Sequence, residues 1–264
     1  MARHSSADSS VSLRYDRALL LSEKKRNQVL DLWEVQKYGV DSFGDADYVC
    51  LYGLRPSDWF ARGVRLLART AVECTRDRLA ELIGRDVADL ARAAHVNGGC
   101  VVIDPFAGSG NTLYWILRSL PKSKAIGFES DDRIFSLSRR NLSIVGVQIE
   151  LVQGDYVSGL KSLAISPDEF IVAFVAPPWG DALSEISGLD LRRTRPPVVE
   201  IVDLITSTYK QNMILSAIQV YELIDPSSLA ELKAKFDWST LRIYDINAPG
   251  KNHGLFLGAK GWTN

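Results

Sequence analysis

The chain predicts a doubly wound α/β domain, a mostly parallel sheet with helices on both faces, behind a helical N-terminal extension. Three observations carry this reading. From residue 100 onward, short apolar runs alternate with helix-length segments, the pattern of parallel strands joined by crossover helices. One run, Phe170–Ala176, is apolar throughout, as a strand covered on both faces should be. A glycine-bearing turn, Asp104–Thr112, follows the first run and leads into the first helix of the alternating part, where doubly wound sheets bind ligands.

The elements follow in order. Residues 1–12 are Ser-rich and read as a loose terminus. Leu13–Trp33 reads as helical, with Arg14, Arg17, Lys24, Lys25 and Arg26 as a solvated face. Residues 34–55 read as irregular. Ser57 caps a helix starting near Asp58, because Trp59, Phe60, Val64, Leu67, Ala68 and Ala71 recur at helical spacing. A helix over Arg76–Ile83 ends at Gly84, another covers Val87–His95, and Asn97-Gly98-Gly99 is a turn. His95 then caps a helix C-terminus. Strand Cys100–Ile103 ends in Asp104. Helix Thr112–Leu120, strand Ala125–Glu129, helix Ile134–Val145, strand Gln148–Val152 and strand Phe170–Ala176 come next. Helix Val198–Tyr209, strand Met213–Val220 and helix Ser227–Lys235 follow, and Leu241–Ile246 with His253–Gly258 make a terminal antiparallel pair. The simplest partition is an extension over 1–95 and one catalytic domain over 96–264.

Composition narrows the classes. The 264 residues are 46% hydrophobic and 24% charged, enough to bury a sizeable core. The net charge of −1 lacks the basic excess that grips long nucleic acids, so a small or short substrate fits best, with room for a local basic patch. Cys50, Cys74 and Cys100 are far apart with no CxxC spacing, which suggests free thiols in a reducing compartment, no disulfide framework and no metal site. Ala18–Leu21 is too short for a signal-peptide core, and Phe170–Ala176 is far below a membrane span. The expectation is a cytoplasmic protein with no membrane partner.

The glycine turn reads as a nucleotide cradle. In Asp104-Pro105-Phe106-Ala107-Gly108-Ser109-Gly110-Asn111-Thr112, Gly108 and Gly110 let the backbone turn and approach a ligand. The third glycine of a dinucleotide fingerprint is missing, and so is the Lys of a phosphate-binding GxxxxGK loop. Asp104 would repel a pyrophosphate but suits a cationic amino group, and S-adenosylmethionine carries an ammonium and a sulfonium. Glu129, 19 residues after Gly110, stands where an acid can accept from ribose hydroxyls. Asp155, after the third strand, can accept from an adenine amine. Alone, each acid is more often a solvated loop residue or a cap; three at successive strand ends point to one ligand.

The fourth core strand ends in Ala176-Pro177-Pro178-Trp179-Gly180. Prolines lack donors and cannot extend a central strand, so they fix a rigid turn with outward carbonyls that can hold an amine. Trp179 offers a face on which a planar ring can stack. A positively charged ring such as 7-methylated guanine would add roughly 0.5–2 kcal/mol of cation–π attraction. An exocyclic aromatic amine is a poor nucleophile, and holding its N–H bonds on carbonyls aims its lone pair at a methyl donor. Taken by itself, the turn could instead pack the sheet edge.

These residues resemble class I S-adenosylmethionine-dependent methyltransferases. Asp104–Thr112 matches their first motif, Glu129 the second, Asp155 the third and Ala176–Gly180 the fourth. The resemblance covers about residues 100–180 and implies a Rossmann-like methyltransferase fold with S-adenosyl-L-methionine as cofactor, held by Asp104, Phe106, Ala107, Gly108, Gly110, Asn111, Thr112, Glu129 and Asp155. Within that superfamily the chain looks most like the trimethylguanosine synthase group, which methylates N2 of 7-methylguanosine caps. Asn111-Thr112, Pro177-Pro178-Trp179-Gly180, Leu189-Asp190-Leu191 and the segment Val199–Ile205 carry that likeness. In the extension, Trp33 and Gln36 are similar to its Tyr-Trp-Xaa-Gln element. The resemblance implies Ala176, Pro177, Pro178 and Trp179 as the catalytic turn, with Trp179 stacking on the base. The chain departs from the group in three ways: Ala176 replaces a polar residue, Asp181 replaces a second glycine, and one glycine of the first motif is absent. Arg192, Arg193 and Arg195 follow the turn and could meet substrate phosphates or form a solvated loop; Asp181 and Glu185 could be surface residues. Three functions stay open: N-methylation of a nucleobase in a nucleotide or RNA, methylation of a small-molecule or protein amine, and a degenerate binding module.

Overall fold

The computed structural model describes residues 14–94, 99–184, 186–247 and 252–262. Expectations for residues 1–12, His95, Asn97-Gly98 and Glu185 lie outside the described residues.

The core is a seven-stranded sheet in the order β3-β2-β1-β4-β7-β9-β8. Its strands are β1 (Cys100–Asp104), β2 (Lys124–Glu129), β3 (Glu150–Gln153), β4 (Phe170–Val175), β7 (Ile214–Tyr221), β8 (Trp238–Tyr244) and β9 (His253–Lys260). β1 to β4 and β7 run parallel, while β9 lies antiparallel between β7 and β8. The chain moves outward from β1 through β2 to β3, then returns to β4 on the other side of β1. That reversal opens a crevice at the carboxyl ends of β1 and β4, where open α/β sheets bind ligands.

Helices α5 (Asp77–Ala93) and α6 (Asn111–Ser119) cover one face, over Val102, Ala125, Val172 and Leu215. Helices α8 (Tyr156–Ser162), α9 (Val198–Thr208) and α10 (Pro226–Lys233) cover the other, over Ile103, Ile171, Val175 and Ile218. Strand residues alternate faces. β4 is buried at all six positions, as its unbroken apolar run requires. The remaining elements are α1 (Arg17–Leu21), α2 (Leu32–Phe43), α3 (Pro56–Ala61), α4 (Ala68–Glu73), α7 (Asp132–Val145) and a short hairpin, β5 (Leu183–Ser184) with β6 (Gly188–Leu189). The extension packs Leu20, Tyr38, Leu51 and Trp59 into a cluster that also takes Tyr114 of α6 and Leu142 of α7.

β1 to β4 and β7 fall within two residues of where the sequence places them, while β8 begins three residues earlier than expected and the β5–β6 hairpin is not foreseen; the extension departs further. The expected helix over Leu13–Trp33 stops at Leu21. There Ser22 Oγ donates to the Leu19 carbonyl, and the chain turns to bridge Val29 to Leu67. The segment read as irregular begins in α2, which has a complete capping box between Asp31 and Glu34 and a left-handed Gly44 at its end. Ser57 is not a cap: Arg55 precedes Pro56 at the first helical position, and the apolar repeat is split between α3 and α4. Gly84 does not end a helix either. α5 runs through it, because a Cβ there would stand 2.6 Å from the Trp115 carbonyl oxygen; the glycine permits close packing on α6.

Candidate functional site

The glycine turn is built by its neighbours. Asp104 closes β1 beside Gly127 of β2, and a Cβ on Gly127 would come within 2.7 Å of the Ala107 Cβ, so the turn folds down over β2. The Ala107 N–H donates to the Phe128 carbonyl at 2.9 Å, which anchors it there. Gly108 and Gly110 take φ values of 51° and 73°, the left-handed region where a side chain is strained. Gly110 is the N-cap of α6, and Thr112 is buried in its first turn.

Asp104 is 2% exposed, and its Oδ1 accepts the Phe106 N–H at 2.9 Å. Burial pushes its carboxyl up to about 7; the Phe106 hydrogen bond opposes this and the Glu129 charge adds to it. Glu129 accepts the Asp131 N–H at 2.8 Å, and burial raises it too. The Gly154 N–H donates to the Glu129 carbonyl at 3.0 Å, tying the third strand end to the second. Asp155 is exposed, and its Oδ2 accepts from the Ser158 N–H at 3.1 Å as the N-cap of α8. Its carboxylate thus has a structural use that the spacing of the three acids does not reveal. The Phe106 ring meets Tyr156 of α8 at 5.0 Å.

The side chain of Asn111 ties the extension to the glycine turn. It is 1% exposed; its Oδ1 accepts the Tyr52 N–H and its Nδ2 donates to the Thr75 carbonyl, both at 2.8 Å. The Tyr52 hydroxyl donates to the Ser109 carbonyl at 2.6 Å, and Tyr52 itself adopts φ 58°, uncommon for a non-glycine residue. The Thr75 hydroxyl donates to Gln219 Oε1 on β7 at 2.7 Å. The extension therefore clasps the glycine turn and reaches β7 at the carboxyl edge. Asp77, next along, accepts from the Gly53 N–H at 2.9 Å and the Trp115 indole at 2.6 Å.

On the other side of the crevice, Ala176-Pro177-Pro178 leaves the end of β4. Pro177 is buried, Pro178 exposed, and Ala176 packs toward the face that carries α5 and α6. The β4–β7 register, Val175 beside Ile218, puts Gln219 next to Ala176. Trp179 is half-buried. It stacks on His253 at 5.4 Å and 24° and meets Tyr221 edge-on at 6.2 Å. Tyr221 and His253 are register partners across β7 and β9.

Arg192 and Arg193 are exposed, but Arg192 is committed: it forks onto Asp190 at 2.8 and 2.9 Å and reaches Asp225 at 3.0 Å. Its charge is balanced by these two carboxylates, one in its own loop and one at the start of α10. Trp33 is exposed on α2, edge-on to Tyr15 at 5.2 Å. Two open depressions, one against α9 and β9 and one against β2 and β3, lie at the amino ends of the parallel strands, opposite the crevice. Among the described residues no His, Cys, Asp and Glu group is arranged to hold a metal, and no helix is long and apolar enough to cross a membrane.

Tyr52, Thr75, Gln219 and His253 escape a reading of the sequence. They are isolated in it, and only the sheet register and the clasp bring them to the crevice.

No protein-family model matches the chain, and no curated protein matches it. Solved structures do. The methyltransferase domain of METTL16 superposes with a TM-score of 0.53 at 16% identity, over 74% of this chain and 72% of that one. The N-terminal domain of human METTL16 in complex with SAH gives 0.52 at 16% identity, over 72% and 73%. Likeness at that identity is a likeness of fold. The chain has the Rossmann-like fold of class I S-adenosylmethionine-dependent methyltransferases, with a helical extension bonded to the carboxyl edge of its sheet.

Proposed function

We propose that this chain is an S-adenosylmethionine-dependent N-methyltransferase acting on an exocyclic amine of a nucleobase, guanine N2 of a 7-methylguanosine-like cap or RNA. The observation that carries the reading is Asp104, a buried acid with no cationic side chain bonded to it among the described residues, under a two-glycine turn and one strand from a Pro-Pro-Trp turn. A buried carboxylate is costly unless a charge or donors meet it, and a ligand ammonium does so.

The residues present fit the cofactor. Asp104 would hold the ammonium, Glu129 would accept from the ribose hydroxyls, and Asp155 and Phe106 would stand by the adenine. Gly108 keeps the turn clear of a side chain, while Gly110 lets it pack on Leu142. Bound there, S-adenosylmethionine supplies an electrophilic methyl group. The Pro177 and Pro178 segment then presents carbonyls that take the amine N–H bonds and fix its lone pair, so orientation supplies much of the rate. His253 covers one face of Trp179, and the acceptor ring stacks on the other. Ala176 contributes only its backbone carbonyl to the amine.

The test incubates the protein with methyl-labelled cofactor and 7-methylguanosine nucleotides. Label enters the base, and Trp179→Ala abolishes transfer while leaving S-adenosylhomocysteine binding intact. Label found only in proteins or other metabolites would replace the nucleobase reading with another amine; cofactor binding with no transfer to a broad extract would leave a binding module.

A further inference from the structure

Arg76 is fixed at the ligand edge. Its neighbours Thr75 and Asp77 are locked by hydrogen bonds to Gln219, Asn111, Gly53 and Trp115. Its guanidinium lies 4.1 Å over the Tyr48 ring, itself stacked at 3.5 Å on Phe43. Yet Nη1 is buried without a hydrogen-bond partner among the described residues, and no carboxylate there pairs with Arg76. Elsewhere in the extension a comparable guanidinium, Arg69, meets Asp131 at 2.5 Å. The rest of the half-buried side chain is held by Tyr48, whose hydroxyl accepts a hydrogen bond from it. A buried guanidinium nitrogen without an acceptor is unfavourable in a ligand-free site and favourable once an oxyanion arrives.

A second orphan stands on the strand pair that Thr75 reaches. His253 Nδ1 is buried and unpartnered among the described residues. Burial and the Arg76 charge together push the imidazole down to about 4, so it is neutral at physiological pH. In the Nδ1–H tautomer it donates to an anion without adding charge. Its ring is the one stacked on Trp179, and Thr75, the residue before Arg76, bonds to Gln219 on the strand that pairs with that of His253. The guanidinium itself lies over the stacked Phe43 and Tyr48 rings.

We propose that Arg76 and His253 form a seat for an oxyanion, a phosphate or carboxylate carried by the methyl acceptor whose ring lies on Trp179. The word acceptor rests on the function proposed above; the seat itself does not. It gives a substrate class, a planar amine that carries an anionic group, and it places that group away from Arg192, whose charge Asp190 and Asp225 already balance.

Inorganic phosphate is the probe. Thermal melts at constant ionic strength are followed against phosphate concentration, with and without saturating S-adenosylhomocysteine, and calorimetry measures S-adenosylhomocysteine affinity separately. Wild type is stabilised by phosphate in both series. Arg76→Gln weakens phosphate about tenfold or more, the worth of a charge-assisted hydrogen bond. Arg76→Lys and His253→Gln give smaller losses, and they keep the test readable should Arg76→Gln fail to fold. Arg85→Gln, an exposed change on the same helix, behaves as wild type. No phosphate response in wild type, or an unchanged one in all three variants, overturns the seat. A phosphate response that vanishes once S-adenosylhomocysteine is bound, with Arg76→Gln weakening S-adenosylhomocysteine itself, assigns the anion to the cofactor carboxylate and overturns the acceptor assignment. Absence of S-adenosylhomocysteine binding with the phosphate response intact sinks the proposed function and leaves the seat standing.

Discussion

The two halves of the ligand edge are built from opposite chemistry. Over β1 and β2 stand acids, Asp104 and Glu129, both raised by burial, under a turn that two left-handed glycines keep low. Over β4, β7 and β9 stand an indole, an imidazole and a guanidinium, with Arg76 and His253 each leaving a buried nitrogen unbonded among the described residues. One half suits a cationic nucleoside and the other a planar, anionic one. The halves also differ in origin. The first is contiguous chain, residues 104–155. The second is assembled by the extension, whose Tyr52, Thr75 and Asn111 contacts lock it to both the glycine turn and β7.

Changes to one half at a time break or sharpen that contrast. The largest expected effect is at Asp104. Asp104→Asn keeps the shape but removes the charge that meets an ammonium, and S-adenosylhomocysteine affinity falls about 100-fold, about 3 kcal/mol. The same change stabilises the free protein. The folded carboxyl titrates near 7 and the unfolded one near 4, so the folded state holds the proton more tightly. Stability from this group is complete below pH 4 and is lost as pH rises through 7, on the order of 4 kcal/mol in all. At pH 8 Asp104→Asn therefore melts higher than wild type while binding less, and a lower melting temperature would deny that Asp104 is held at a cost.

The clasp comes next. Asn111→Ala strands the Tyr52 N–H and the Thr75 carbonyl in the interior and costs about 2–3 kcal/mol, read by denaturant unfolding. If the clasp builds the second half, phosphate stabilisation weakens along with the fold. Gly84→Ala, remote from both halves, drives a Cβ against the Trp115 carbonyl and costs about 1–3 kcal/mol through α5–α6 packing, with S-adenosylhomocysteine affinity retained in the folded fraction. Asp155→Ala removes an N-cap worth about 1 kcal/mol and loosens S-adenosylhomocysteine severalfold at most, a margin that separates capping from ligand contact. Arg192→Gln leaves S-adenosylhomocysteine and phosphate binding unchanged, because its charge is spent on Asp190 and Asp225.

What could be read from the sequence follows the same division. Strand burial writes itself as apolar runs, so β1, β2, β4 and β7 appear within a residue or two of their places, and the glycine turn with its acids follows from them. The terminal pair β8 and β9 was legible as antiparallel, though not its place, with β9 slotted between β7 and β8. In the extension the signals conflict. The capping box at Asp31 and Glu34 and the Gly44 stop sit in a stretch otherwise rich in Gly, Asp and Tyr, and its tyrosines face inward for packing and clasping. Gly84 looks like a helix stop because its reason, the nearness of α6, is tertiary. Asn111 carries the sequence position of a ligand contact and the structural role of a strut. Arg76 and His253 are 177 residues apart, and no local pattern announces that the charge of one reaches the imidazole that stacks on Trp179.

The pH dependence of S-adenosylhomocysteine binding tests the central claim most directly, because it asks whether the buried acid of β1 is the group that receives the ligand. Calorimetry between pH 5.5 and 7.5 should find one site per chain, with affinity falling toward tenfold per unit as pH drops below about 7 and with no such slope in Asp104→Asn. Binding that is absent at every pH, or equally tight across the range in both proteins, would contradict it.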